Sequence, residues 1–123
     1  MGVIIFNSSN EEEHLSCNWW NWRPTVELMR STALLNEEEF DLLSNGYGEF
    51  SKEQCTVLIE FFESQVLSDA EDHARFLLSG EKTLEADDFV FHKQDVEKNY
   101  SATAVWLRSF VEFLKKSDGI SVS

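Results

Sequence analysis

One proline and five glycines in 123 residues leave no room for a flexible linker, so the chain reads as a single domain spanning 1–123. Only two cysteines are present, Cys17 and Cys55, without CxxC spacing. That is no disulfide scaffold, and it points to reduced, buried thiols. Bases are scarce too: 10 Lys and Arg stand against 23 Asp and Glu, a net charge of −13. The deficit is general, with 11 acids to 3 bases up to Glu60 and 12 to 7 after it. Without a Lys/Arg cluster, binding to nucleic-acid backbones or to anionic membranes is not expected. No apolar run approaches the roughly 20 residues of a membrane span. The segment Met1 to Phe6 has no cationic n-region, so the expected location is cytoplasmic. There is also no G-x-S-x-G elbow, Gly-rich phosphate loop, HExxH or Cys/His ligand spacing. The sequence therefore nominates no catalytic residue and no cofactor.

What is present is core-forming mass. Apolar residues make up 42% of the chain and aromatics 13%, ten of them phenylalanine. That is far too rich for disorder. Val3 to Phe6 is a β-branched and aromatic run before the turn residues Asn7-Ser8-Ser9-Asn10. His14 to Trp20 alternates, with Leu15, Cys17 and Trp19 on one side and Ser16, Asn18 and Trp20 on the other. The two runs predict an N-terminal β-hairpin, which helices must cover.

Pro24 suits the first position of a helix, and Val26, Leu28, Met29, Ala33 and Leu34 trace its apolar stripe. Asn36 before Glu37-Glu38-Glu39 caps a second helix, which Asn45-Gly46 ends. Ser51 and Gln54 form a capping box ahead of Cys55, Leu58, Ile59, Phe62 and Val66. A second box, Ser68 to Glu71, either breaks that helix or carries it, bent, through Ala74, Leu77 and Leu78 to Ser79-Gly80. Ser101 is expected to cap a helix from about Ala102 to Lys116, stopped at Asp118-Gly119. The tail Ile120 to Ser123 reads as an edge strand or a fraying end. Phe89-Val90-Phe91 allows an extra short strand near 89–92 or a hydrophobic plug. The expectation is thus an α+β fold, mainly α, with an N-terminal β-hairpin packed against about four to five helices.

The densest feature is Cys17-Asn18-Trp19-Trp20-Asn21-Trp22-Arg23-Pro24, which holds three of the four tryptophans. Read structurally, Trp20 and Trp22 share parity on an extended segment and pack under the first helix, with Trp19 on the opposite sheet face. Arg23 then stacks on an indole or pairs with Glu27. Read functionally, Trp19, Trp20, Trp22 and Arg23 form a binding site, because Trp and Arg dominate interface hot spots. Asp69 and His73 fall i, i+4 on the extended third helix and are the candidate metal ligands. His14, His92 or Asp88 would have to complete that set.

Trp20-Asn21-Trp22-Arg23-Pro24 after a short hairpin, with Asn45-Gly46, Ser51 and Asn99-Tyr100-Ser101, resembles small uncharacterised bacterial and phage proteins carrying a W-x-W-R-P segment. The resemblance implies a bacterial, cytoplasmic context and brings no catalytic residues with it. The composition favours a non-enzymatic protein-binding domain of inhibitor or immunity type. Its carboxylates would meet a basic protein, and the domain would act as a monomer or small homo-oligomer. The alternative is a small-ligand or metal-binding domain built on the Trp19–Arg23 corner or on Asp69 and His73.

Overall fold

The computed structural model describes residues 2–87 and 90–123. Strands β1 (Gly2–Asn7) and β2 (Asn10–Asn18) form the expected hairpin, in the register Val3↔Cys17 and Ile5↔Leu15. Val3, Ile5 and Cys17 are buried while Gly2, Ile4 and Ser16 are exposed, the alternation of a sheet with one solvated face. Between the pairs Phe6↔His14 and Asn7↔Asn10 the register shifts. The shift puts Glu11, Glu12 and Glu13 outside the ladder.

The remaining order is α1 (Trp19–Arg30), α2 (Glu37–Ser44), β3 (Gly48–Phe50), α3 (Lys52–Phe61), a π-helical turn at Phe62–Val66, β4 (Arg75–Leu77), β5 (Lys82–Thr83), a 3₁₀ turn at Val96–Asn99, β6 (Ser101–Thr103), α4 (Ala104–Lys116) and β7 (Ile120–Val122). Two antiparallel sheets result, one ordered β2-β1-β7-β3 and the other β5-β4-β6. Among the described residues, 43% are helical and 24% lie in strands, an α+β fold with four α-helices and seven strands. It is not a mainly helical domain with a single hairpin.

The tail is neither an edge strand nor frayed: β7 lies between β1 and β3, its ladder extended by paired amide–carbonyl bonds of 2.9 and 3.0 Å between Ile4 and Ser123. Ile120 and Val122 are buried there, so the last residues contribute to the centre of the core. Residues after Val66 turn rather than continue α3, and Arg75–Leu77 form a strand. The box at Ser68–Glu71 therefore caps nothing. α4 starts two residues later than expected because Thr103, not Ser101, accepts the Trp106 amide. Ser101 belongs to β6, which reaches β4 from across the chain. Near 89–92, Val90, Phe91 and His92 lie outside any strand, while Asp88 and Phe89 lie outside the described residues.

The expected caps of α2 and α3 are present as full capping boxes, Asn36 with Glu39 and Ser51 with Gln54. α2 closes onto Gly46, whose φ of +90° suits glycine. A Cβ there would press on the Trp19 indole and the Val3 side chain at 3.0 Å each. The core joins Val3, Ile5, Ile120 and Val122 of the sheet to Trp22, Val26, Leu43, Leu58 and Phe62. Phe110 of α4 is its aromatic hub. Phe110 meets Trp22 and Phe62 edge-on at 6.1 and 5.9 Å and stacks on Trp106 at 5.6 Å.

Candidate functional site

α1 begins at Trp19 rather than Pro24, because the Asn18 side chain accepts the Asn21 amide as N-cap (2.9 Å). Pro24 therefore sits inside the helix, and the Trp20 carbonyl loses the amide that would ordinarily bond to it. The tryptophans consequently obey helical spacing, not strand parity. Trp22 turns into the core at 0% exposure and donates its indole N–H to the Leu43 carbonyl at 2.8 Å. Trp20, two residues back and about 200° around the helix, faces out at 41% exposure. Trp19 is half-buried over Gly46.

Most of the segment's polar groups are occupied in tying elements together. Asn21 Nδ2 donates to Asn18 Oδ1, and Asn21 Oδ1 accepts the Thr103 amide at 3.1 Å. That amide points away from β4, so Asn21 closes the open edge of β6. Thr25 donates to the Asn21 carbonyl and accepts the Trp106 indole N–H, which locks α1 against α4. Trp20 and Arg23 are the two side chains of the segment that remain at the surface without such a tie to the core.

They share one patch. Trp20 lies 5.0 Å from the Tyr100 ring and 6.1 Å from Phe91, inclined at 55° and 65°. The Arg23 guanidinium sits 5.6 Å from the Tyr100 ring and 5.9 Å from Trp19, and its Nη1 donates to the Tyr100 hydroxyl at 3.3 Å. The stacking expected of Arg23 is therefore present. The pairing with Glu27 is not, since Glu27 goes to Arg30 at 3.1 Å. Trp19, Trp20, Arg23 and Tyr100 line an open depression of about 350 Å³. Beyond Trp20 lies a second, of about 390 Å³, walled by Trp20, Val90 and Phe91, with Asp87, Lys98, Ser101 and Thr103 also lining it. Tyr100 and Phe91 could not have been nominated from sequence, because 70 or more positions separate them from Trp20.

The other candidates fare differently. Asp69 and His73 lie in turns between the π-helical turn and β4, so they do not share a helix face. Among the described residues, no group of three or more His, Cys, Asp or Glu is placed to hold a metal ion. His14 lies by Phe6 on the hairpin, and His92 is bonded through its backbone to the Asn99 side chain. Asp88 lies outside the described residues. The cysteines are buried and free, and burial raises their pKa to about 12 for Cys17 and about 11 for Cys55. At neutral pH both are protonated thiols rather than nucleophiles.

The acidic runs are spread over separate elements and largely held by local partners. Arg30 gathers Glu27, Glu37 and Asp41 at 3.1, 2.9 and 2.9 Å, and Glu39 completes the α2 capping box. Glu71 pairs with Lys82, and Asp72 with Arg108 of α4. No described helix is long and apolar enough to cross a membrane. The chain matches no known family, no curated protein and no solved structure.

Proposed function

We propose that the protein is a non-enzymatic binding domain that engages a basic protein partner, in the manner of an inhibitor or immunity protein, through the patch of Trp19, Trp20, Arg23, Phe91 and Tyr100. The observation that carries this reading is the split within the tryptophan segment. Trp22 and Asn21 are consumed by the fold, whereas Trp20 keeps 41% of its surface exposed among other aromatics and an arginine. Trp, Tyr and Arg are the residue types that dominate binding hot spots, and rigid rings lose little entropy on docking. The net charge of −13 supplies the long-range attraction. The carboxylates are dispersed over separate elements and several are locally paired, so their main part is to steer the partner.

The test compares wild type with Trp20→Ala as bait at low salt. The expected result is one stoichiometric protein of net positive charge, retained by wild type and absent from the variant. Its association should slow steeply with added salt while dissociation changes little. An identical set of proteins on both baits would remove the patch from consideration. A second reading, a small-ligand domain, is favoured by the two adjoining depressions. It would show as ligand-induced quenching of Trp20 fluorescence with no protein captured.

A further inference from the structure

In a chain with 23 acidic residues, Arg23 is an arginine without an anion. Arg30 gathers three carboxylates, Arg108 bonds Asp72 and the Ala70 carbonyl, and Arg75 bonds the Glu85 carbonyl. Arg23 is exposed and meets only neutral groups: the rings of Trp19 and Tyr100 and the Tyr100 hydroxyl. Glu27, one turn along α1, is taken by Arg30. Among the described residues, a single guanidinium N–H of Arg23, on Nη1, has an acceptor.

The tryptophans divide in the same way. Trp22 and Trp106 donate their indole N–H groups to the Leu43 carbonyl and the Thr25 hydroxyl. Those of Trp19 and Trp20 have no acceptor among the described residues, and neither has the Tyr100 hydroxyl proton. Trp19, Trp20, Arg23 and Tyr100 are the side chains that line the depression of about 350 Å³, and no carboxylate lines it. It therefore offers one positive charge and a surplus of hydrogen-bond donors. A carboxylate is the complement, since it accepts on both oxygens and matches the planar edge of a guanidinium.

We infer that this depression receives a carboxylate of the partner protein, from an Asp or Glu side chain or from its carboxyl end, bonded to Arg23. The inference rests on the protein-binding role proposed above and names the group that this role would recognise. The net charge of −13 decides the source. A small free acid is repelled, whereas a carboxylate carried on a basic surface is brought in by the attraction of that surface. Arg23 then sets the register of the complex and leaves the steering to the acidic surface.

The test titrates ¹⁵N-labelled protein, at neutral pH and about 0.15 M salt, with three short peptides that differ in one group. One carries Glu and is capped at both ends, the second carries Gln in its place, and the third is the Gln peptide with a free carboxyl end. The Trp19 and Trp20 indole signals are assigned by their loss in Trp19→Phe and Trp20→Phe. The expected result is a saturable shift of one or both signals by the Glu peptide or the free-acid peptide. Its affinity should be at least about tenfold above that of the capped Gln peptide. Which of the two responds tells a side chain from a carboxyl end. Arg23→Gln, with a thermal midpoint near that of wild type, should bind all three alike. Equal responses of wild type to the three peptides, no shift of either indole, or a discrimination that survives in Arg23→Gln would each overturn the inference. In those cases a protein captured by wild type and lost by Trp20→Ala would leave the binding role standing without a carboxylate contact. Loss of that differential capture as well would end both. A carboxylate response with no protein captured would overturn a protein as its source, and the binding role with it.

Discussion

Trp22 and Trp20 are the same residue type two positions apart, and the fold puts them to opposite uses. On an extended segment they would point the same way; on a helix they point nearly oppositely. The backbone decision at Asn18, where the strand ends and a capped helix begins, therefore separates a core anchor from a surface residue. Trp22 has an indole bond to Leu43, an edge-on contact with Phe110, and no exposure. Among the described residues, the rings that Trp20 meets, Tyr100 and Phe91, are partly exposed or exposed. Proximity in sequence is thus a poor guide to shared role. The buried member accounts for the fold, and the exposed member is what the fold leaves unexplained.

The widest gap between the two should appear in stability. Trp22→Ala removes a fully buried indole and one of the two hydrogen bonds to the Leu43 carbonyl, which keeps the Gly46 amide, at a cost of about 3–5 kcal/mol. Thermal unfolding measures this directly. A midpoint within a degree or two of wild type would mean that Trp22 is not the anchor described here.

A second contrast lies in pH. Cys17 and Cys55 sit in the core, and burial raises their pKa to about 12 and about 11. In the unfolded chain both ionise near about 8.5. Above that pH the unfolded state releases protons that the native state keeps, so stability falls as pH rises. The loss runs from about 8.5 to about 11 for Cys55 and to about 12 for Cys17. The slope should be about 1 kcal/mol per pH unit per thiol, and the full contribution is present below about 8.5. Denaturation curves at pH 8 and 10, for wild type and Cys55→Ala, check it. Equal losses in the two proteins would assign the alkaline sensitivity elsewhere. Native thiols should also resist alkylation at pH 8.

Much of this was legible in the sequence where the information is local. The cap at Asn36 and the box at Ser51–Gln54 formed as their spacing required, and the hairpin and the α4 stripe were readable from period alone. Reading failed where distant segments decide. β4, β6 and β7 are three residues each, too short to show alternation, and they exist through partners elsewhere in the chain. The same competition cancelled the helix expected through Asp69 and His73, and with it the metal pair. Pro24 misled because a helix start at that residue is the usual use of proline, whereas Asn18 had already begun the helix. Of the patch, Trp19, Trp20 and Arg23 were visible as a run, but Tyr100 and Phe91 join only in three dimensions.

Asn21, between the two tryptophans in sequence, should behave as an intermediate case. Its side chain bonds the Asn18 cap and the outward Thr103 amide. Asn21→Ala leaves that amide unpaired at a part-buried edge and should cost about 1–2 kcal/mol. Amide exchange of Thr103 should accelerate in the variant beyond the change in global stability. Unchanged exchange would show that β6 needs no closure there.

The smallest stability effect should belong to Trp20 and Arg23, and it sharpens the comparison most. Trp20→Ala deletes an indole whose contacts lie at the surface, and Arg23→Ala removes a stacked guanidinium that forms no ion pair among the described residues. Exposed aromatic and cation–π contacts of this kind are worth about 0.5–1 kcal/mol each. Both variants should therefore stay folded, with midpoints shifted by a few degrees at most. Because Trp20 and Arg23 both pack on Tyr100, the pair is coupled, and the double variant should lose less than the sum of the two singles. Capture of a partner should meanwhile fall in both, and further in Trp20→Ala, since Trp20 borders both depressions and Arg23 only one. A loss above about 3 kcal/mol on removing Trp20 would place it with Trp22 as a structural residue. The split on which the binding role rests would then disappear.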